Sequence, residues 1–214
     1  MITFAPVMKL CFATSNMGKL REAREILPEE YEIVSSADLG ITEDIPETGN
    51  SFSENSRQKA EYVWNKCRCN CFADDSGLVV DSLGGAPGIY SARYSGPGHD
   101  FARNIDKLLH ELDGKSDRKA RFVCAVTLVI DGKFTSYEGT TEGRIAMERC
   151  GDGGFGYDPV FIPDVIPVAD PGSEGDLVIS PNTEGVTIAE LPEDLKNLIS
   201  HRGEALRKMA DDLR

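Results

Sequence analysis

Long hydrophobic runs are missing from this sequence. No apolar stretch in the 214 residues approaches the ~20 that a helix needs to span a bilayer, so we expect no membrane segment. The opening segment, MITFAPVMKLCFATSN, also lacks a basic leader followed by a long apolar region and a small-residue cleavage site. We therefore expect a cytoplasmic protein without membrane partners, in which residues 1–7 form a loose tail before Met8.

Positive charge is scarce as well. The chain has 23 Lys and Arg against 36 Asp and Glu, which gives a net charge of −13. A surface of that sign repels nucleic-acid backbones and anionic lipids, so a protein that coats DNA or RNA is disfavoured. A local basic pocket remains compatible with this balance, because net charge describes the whole surface and not one site.

Zinc-binding patterns of cysteine are also absent. Six cysteines occur, but not as the C-x2-C pairs with further ligands that typify a zinc site. Cys67, Cys69 and Cys71 alternate, so they share one face if the segment is extended. We interpret the six as reduced thiols of a cytosolic protein, with metal binding as the less favoured alternative.

The chain does contain alternating strand and helix patterns. Its length suggests one large domain, or two lobes that share a core. Strands alternating with helices and then a hairpin indicate a mixed α/β fold. The predicted strands are 8–14, 31–36, 120–130, 133–139 and 159–163, and the predicted helices are 18–27, 52–67, 101–112 and 193–213, with a break near 200–203.

Turn residues add four local predictions. Asp131-Gly132 is a hairpin signal, and Ser51 with Glu54 fits a capping box at a helix start. Residues 69–81 are predicted to form a strand, a turn and a second strand. Residues 164–187 carry Pro, Gly, Asp and Ser without periodicity, which predicts a long exposed loop.

Two adjacent carboxylates, Asp74 and Asp75, interrupt an apolar extended run. In a strand they point to opposite faces, so we expect one to face a cleft and the other to be held structurally. A carboxylate at the mouth of a sheet is suited to bind Mg²⁺ or to orient an attacking water. The alternative is a turn aspartate, since Asp-Ser-Gly is also good turn chemistry.

The segment ATSNMGKL (13–20) lies where a strand passes into a helix. Lys19 and free N–H groups at the helix start are suited to hold phosphate oxygens, although the segment departs from a Walker A loop at Ala13 and Leu20. An ordinary turn with a surface lysine is the alternative.

The segment GDGGFGYDP (151–159) contains G-x-G-x-x-G, but an apolar strand follows it instead of the helix that dinucleotide binding requires. It either presents Phe155 for stacking on a base or is a glycine-rich turn with Phe155 in the core. In SHRGEAL (200–206), His201 and Arg202 fall in a helix first turn, where cations oppose the helix dipole, a mild misfit that suggests a ligand. A solvated basic patch is the alternative.

These motifs are individually weak, but their order is specific. The chain from Met8 onward resembles the inosine triphosphate pyrophosphatase family in F-A-T-S-N-M-G-K (12–19), T-G-N-S-F-S-E-N-S-R-Q-K-A (48–60), A-D-D-S-G-L (73–78), G-G-A-P-G-I-Y-S-A-R-Y-S-G (84–96), G-G-F-G-Y-D-P-V-F (153–161) and S-H-R-G-E-A-L (200–206). The resemblance implies cleavage of aberrant purine nucleoside triphosphates to monophosphate and pyrophosphate. It also implies one two-lobed α/β domain over 8–214, with a long central sheet, a nucleotide cleft between lobes, Mg²⁺ and a homodimer.

The resemblance further implies the site residues. Asp75 would be the metal-linked catalytic residue, Glu47 a second metal ligand, and Lys59 a phosphate contact. The other implied substrate-binding residues are Thr14, Ser15, Asn16, Met17, Gly18, Lys19, Ser76, Phe155, Gly156, Tyr157, Asp158, Lys196, His201 and Arg202. Ser15 and Ser56 depart from the family's common Gly and Ala without removing a charge. A pyrophosphatase for pyrimidine or modified nucleotides and a non-enzymatic nucleotide-binding regulator remain the alternatives.

Overall fold

Six of the eight strands form one mixed sheet in the computed structural model, which describes residues 8–173 and 175–213. The predicted tail, residues 1–7, lies outside the described residues. The strands are β1 Met8–Phe12, β2 Tyr31–Ser35, β3 Cys71–Val80, β4 Lys119–Ile130, β5 Lys133–Ile145, β6 Phe161–Pro163, β7 Val165–Ala169 and β8 Leu177–Pro181. The α-helices are α1 Met17–Ile26, α2 Phe52–Cys67, α3 Phe101–Glu111, α4 Glu193–Ile199 and α5 His201–Leu213. The predicted α/β class is confirmed.

The sheet has the strand order β2-β1-β3-β4-β5-β6. Strand β1 pairs in parallel with β2 and β3, whereas β5 and β6 are antiparallel, so the sheet is mixed. The turn at Asp131 and Gly132 joins β4 to β5, and both residues have positive φ values of 50° and 80°. The hairpin prediction is therefore confirmed, because a two-residue hairpin loop of this kind needs left-handed backbone at both positions.

Two predictions about segments are wrong. Residues 71–80 form one uninterrupted strand, β3, and not a strand, turn and strand. Within the predicted loop 164–187, β7 and β8 pair as an antiparallel ribbon, with Pro167 opposite Ile179. Pro167 in β7 argues against a strand when the sequence is considered alone. Both strands of a two-stranded ribbon are edge strands, however, and proline is tolerated in edge strands.

The start of α2 is only half of the predicted capping box. The Ser51 hydroxyl accepts from the Glu54 N–H at 3.1 Å, as expected. The Glu54 carboxylate accepts from the Asn50 N–H at 2.7 Å, one residue earlier than the reciprocal bond requires. Both bonds fix the chain just before α2, which carries several polar side chains of the site.

The chain divides into two compact units, and each has its own core. Unit 1 comprises the chain up to Asp75, Cys124–Gly139 and the chain from Arg202, and unit 2 comprises Ser76–Val123 and Thr140–His201. Unit 1 buries apolar residues on both faces of its sheet. Among the described residues, no helix is long and apolar enough to cross a membrane.

Candidate active site

Strand β3 delivers two carboxylates to opposite faces of the sheet in unit 1. Phe72 lies in the core covered by α1 and α5, and it stacks on Phe12 with ring centroids 4.3 Å apart. Ala73 lies in the core on the α2 side. Because side chains alternate along a strand, Asp74 follows Phe72 to the first face and Asp75 follows Ala73 to the second. The predicted opposite orientation is confirmed by their separate partners.

Asp74 is the centre of a buried ion network. Its side chain is 1% exposed, and its two oxygens accept from Lys19 Nζ at 2.9 Å and Arg202 Nε at 3.0 Å. Arg202 also donates from Nη1 to Glu22 Oε2 at 2.7 Å. Burial by itself raises the pKa of Asp74, but attraction by Lys19 and Arg202 outweighs it, so the pKa is held well below its usual range. Asp74 is therefore ionised and structurally held.

Asp75 faces a different set of polar groups. Its side chain is half-buried, and its Oδ2 accepts from Asn55 Nδ2 at 2.9 Å. Lys59 Nζ lies 3.6 Å from the Asp75 Oδ1 and donates to Glu47 Oε1, so one ammonium lies beside two carboxylates. Asn55 and Lys59 are one helical turn apart on α2, which places both on the same face.

The pKa of Asp75 is shifted upward, opposite to that of Asp74. Burial is the largest cause, and the negative charge of Glu47 adds to it. Lys59 and the Asn55 hydrogen bond act in the other direction without cancelling the rise. A carboxylate that is costly to ionise is a stronger base and gains more from a nearby cation than an ordinary surface carboxylate does.

The ion pairs of these two networks contain one more carboxylate than cations. Among the described residues, the ion pairs above define the unit 1 charge cluster, with four carboxylates and three cations: Glu22, Glu47, Asp74 and Asp75 with Lys19, Lys59 and Arg202. A polyphosphate would add further negative charge to this surplus. The carboxylates of Asp75 and Glu47 offer oxygen donors of the kind that Mg²⁺ prefers. The other coordination positions of such an ion are usually taken by phosphate oxygens and water. The donor set of Asp75 and Glu47 therefore fits a Mg²⁺ ion.

The start of α1 differs from its expectation. Asn16 caps the helix, and its Oδ1 accepts from the N–H groups of Gly18 at 2.9 Å and Lys19 at 3.2 Å. The expectation of free N–H groups at these two positions is therefore wrong. Thr14 Oγ1 in turn accepts from the Asn16 N–H at 3.1 Å, so the segment is fixed by its own side chains. Ser15 and Met17 are exposed.

In unit 2, Asp158 organises the glycine-rich segment. Its buried Oδ2 accepts from the Phe155 N–H at 2.9 Å and from Lys196 Nζ at 2.6 Å. Lys196 Nζ lies 4.8 Å from the centroid of the Phe155 ring. Gly154 has φ +71°, and a Cβ there would stand 2.2 Å from Asp158 Oδ2, so only glycine allows this turn. Phe155 is consequently presented at the surface, 47% exposed, and not packed in the core.

The other predicted residues of unit 2 have different surroundings. Tyr157 is buried and donates from its hydroxyl to the Ser91 carbonyl at 2.9 Å, and burial raises the pKa of its phenol. His201 stacks on Phe122, with ring centroids 4.9 Å apart. Ser76 is half-buried and directly follows Asp75 along β3, and Gly156 has a positive φ of 64°.

Comparison with known proteins identifies the family. The sequence profile of the Ham1 family matches residues 10–212, almost the whole chain. The chain belongs to the Ham1 family. The family resemblance seen in the ordered motifs is thereby confirmed.

Curated relatives and solved structures align with this chain over nearly the full length of both proteins. The dITP/XTP pyrophosphatase of Bacillus subtilis is 47% identical over 92% of this chain and 93% of its own. The dITP/XTP pyrophosphatase of Christiangramia forsetii is 42% identical over 96% of this chain and 99% of its own. The structure of the Staphylococcus aureus Ham1 protein superposes with a TM-score of 0.81 at 34% sequence identity, and the match covers 96% of this chain and 97% of that one. The dITP/XTP pyrophosphatase structure from Mycobacterium abscessus superposes with a TM-score of 0.72 at 38% sequence identity. This match covers 94% of this chain and 98% of that one.

Within unit 1 of this Ham1 protein, Lys19 and Arg202 meet at Asp74, and Lys59 and Glu47 meet beside Asp75. Sequence reasoning missed two members of these networks. Glu22 stands three residues after Lys19, and Asn55 stands four residues before Lys59. Such helical spacing puts each beside a predicted site lysine, and it is the signal that was available.

Proposed function

We propose that this protein hydrolyses non-standard purine nucleoside triphosphates, namely ITP, dITP and XTP, to the monophosphate and pyrophosphate. It would thereby keep these nucleotides out of DNA and RNA. The observation that carries the proposal is the pairing of Asp75 and Glu47 beside Lys59, in a chain that aligns with dITP/XTP pyrophosphatases over at least 92% of its length. Two carboxylates beside a cation suit metal-assisted hydrolysis of a phosphoanhydride.

In the proposed reaction, a water molecule attacks the α-phosphorus and pyrophosphate leaves. Asp75 orients that water and accepts its proton, a role that suits a carboxylate whose pKa is raised by burial and by Glu47. Asp75 and Glu47 would hold Mg²⁺, which supplies charge neutralisation at the phosphoryl group when bound. Lys59 contributes a fixed positive charge at the same place, because Asp74, Asp75 and Glu47 together keep its pKa raised despite burial.

The proposed role of Asp74 is to hold the cations. Lys19 and Arg202 both bond to Asp74, so their positions are defined before any substrate arrives. Cations held in advance stabilise developing phosphate charge without reorganisation in the transition state. We propose that Lys19 faces the triphosphate together with the 14–18 segment. Arg202, 3% exposed and bonded on two sides, would act mainly by placing Asp74 and Lys19.

We propose that unit 2 supplies purine recognition. Phe155 offers an exposed ring for stacking, and Lys196 lies close to both that ring and Asp158. Aromatic rings bind any base by its face, so selection of hypoxanthine and xanthine over adenine and guanine needs polar contacts as well. Asp158, Lys196 and His201 are the polar groups proposed for that role. The predicted homodimer, the cleft between lobes, the single 8–214 domain and the cytoplasmic location remain predictions.

The test is a nucleotide panel with separate detection of pyrophosphate and orthophosphate. We expect pyrophosphate release from ITP, dITP and XTP in the presence of Mg²⁺, with much slower turnover of ATP and GTP. Release of orthophosphate would contradict cleavage at the α–β bond. Preferential turnover of pyrimidine nucleotides would reassign the substrate class, and tight binding without any hydrolysis would indicate a nucleotide-binding regulator.

A further inference from the structure

Asn55 joins two separate parts of the unit 1 charge cluster. Its side chain is 1% exposed, and both ends of its amide are used. Nδ2 donates to Asp75 Oδ2 at 2.9 Å, and Oδ1 accepts from the Gly49 N–H at 2.8 Å. Gly49 lies two residues after Glu47, so this single side chain links β3 to the segment that carries the second carboxylate.

The chemistry of the two contacts fixes the orientation of the amide. A carboxylate can only accept hydrogen bonds, and a backbone N–H can only donate. Rotating the Asn55 amide by 180° would turn its carbonyl toward Asp75 and its NH₂ toward the Gly49 N–H, and both bonds would be lost. Asn55 is therefore matched to this place as an amide, which neither Asp nor Leu of similar size reproduces.

The segment around Gly49 is fitted closely to α2. A Cβ on Gly49 would stand 2.6 Å from Glu54 Cβ and 2.9 Å from Asn55 Oδ1, so a side chain there forces the segment away from the helix. A second α2 residue also contacts this segment, because Gln58 Oε1 accepts from the Thr48 N–H at 2.9 Å. Gln58 thus anchors the same segment but has no bond to Asp75 among the described residues, which makes it a matched control.

We infer that Asn55 is a positioning residue that sets the placement of Asp75 relative to Glu47, and thereby the affinity of this carboxylate pair for a divalent cation. The inference rests on the proposed function, because it assigns the cation to the Mg²⁺ of that reaction. Side chains that hydrogen-bond to metal ligands without touching the metal affect metal binding strongly, because a displaced carboxylate cannot complete the coordination geometry. Asn55 holds Asp75 directly and holds Glu47 through the backbone of Gly49.

The experiment titrates Mg²⁺ into the full-length protein by calorimetry, with the α,β-methylene analogue of dITP present at saturation. We expect Asn55→Leu to raise the dissociation constant for Mg²⁺ by about 10- to 100-fold. We expect Gly49→Ala to raise it in the same direction, and Gln58→Ala to change it less than about threefold. In turnover assays on dITP, the Asn55→Leu defect should shrink at high Mg²⁺, with KM for dITP at saturating Mg²⁺ close to wild type.

Two results would overturn the inference. One is an unchanged Mg²⁺ affinity in folded Asn55→Leu, and the other is an equal loss in Gln58→Ala, which would show that any contact of the segment suffices. Circular dichroism checks the fold of each variant, and Asn55→Ala, which also removes both amide hydrogen bonds, takes the place of Asn55→Leu if Asn55→Leu does not fold. Wild-type protein that fails to release pyrophosphate would refute the proposed function separately, whatever the calorimetry gives.

Discussion

Asp74 and Asp75 are neighbours in β3, yet they share no hydrogen-bond partner among the contacts of the described residues. Asp74 bonds to Lys19 and Arg202 on the face covered by α1 and α5, and Asp75 bonds to Asn55 on the α2 face. The pKa of Asp74 is therefore lowered, whereas the pKa of the adjacent Asp75 is raised. This division predicts different consequences for the same substitution at the two positions.

Asp75→Asn should abolish most turnover while leaving the protein folded. We expect a loss of about 10²- to 10⁴-fold in kcat, the range that a positioned acid–base group contributes. Stability at pH 7 should not fall, because the substitution removes a carboxylate that burial and Glu47 make costly to ionise. Pyrophosphate release and urea unfolding measure the two effects, and Asp113→Asn on the surface is the control. Near wild-type turnover would remove Asp75 from the mechanism.

Asp74→Asn should act mainly through stability. Removing this charge leaves Lys19 and Arg202 without their shared buried partner, which we expect to cost about 3–5 kcal/mol of unfolding free energy. The matched control is Glu32→Gln, which breaks the exposed ion pair with Lys9 and should change stability by less than about 1 kcal/mol. Urea unfolding compares the two. Similar small losses in both variants would contradict a structural role for Asp74.

The stability that Asp74 contributes should depend on pH. Because folding lowers its pKa, the contribution is fully present above the unfolded-state value of about 3.9 and is lost as the pH falls through the lower folded value. The difference in unfolding free energy between wild type and Asp74→Asn should be constant above about pH 5 and should narrow below about pH 4. Urea midpoints measured across this range give the difference, and a gap that widens on acidification would be the wrong sign.

Phe155→Ala should weaken substrate binding more than catalysis. Stacking on an aromatic side chain contributes about 1–3 kcal/mol per base, so we expect KM for dITP to rise about 5- to 150-fold. The control is Phe101→Ala, because Phe101 is exposed to a similar degree, 41% against 47%, but is the first residue of α3 and not part of the glycine-rich segment. Steady-state kinetics on dITP distinguish the two. An unchanged KM in Phe155→Ala would remove base stacking from the proposal.

Local patterns predicted most of the regular elements. Helix α2 matches the predicted range 52–67, and its Ser51 cap is a local signal of where the helix begins. The break between α4 and α5 at Ser200 is also confirmed. The β7–β8 ribbon was missed, because its two strands are defined by pairing with each other and Pro167 lies in the middle of β7.

The sequence by itself determined that Asp74 and Asp75 face opposite ways, because the period of two in a strand is a property of the backbone. It also determined that Phe155 follows a glycine-bearing turn. Only the tertiary structure decided which cations meet each carboxylate, because Arg202 reaches Asp74 across 128 positions of chain and no local pattern encodes that contact. Burial then decided the charge chemistry, since the pKa of a carboxyl group depends on the groups that folding gathers around it.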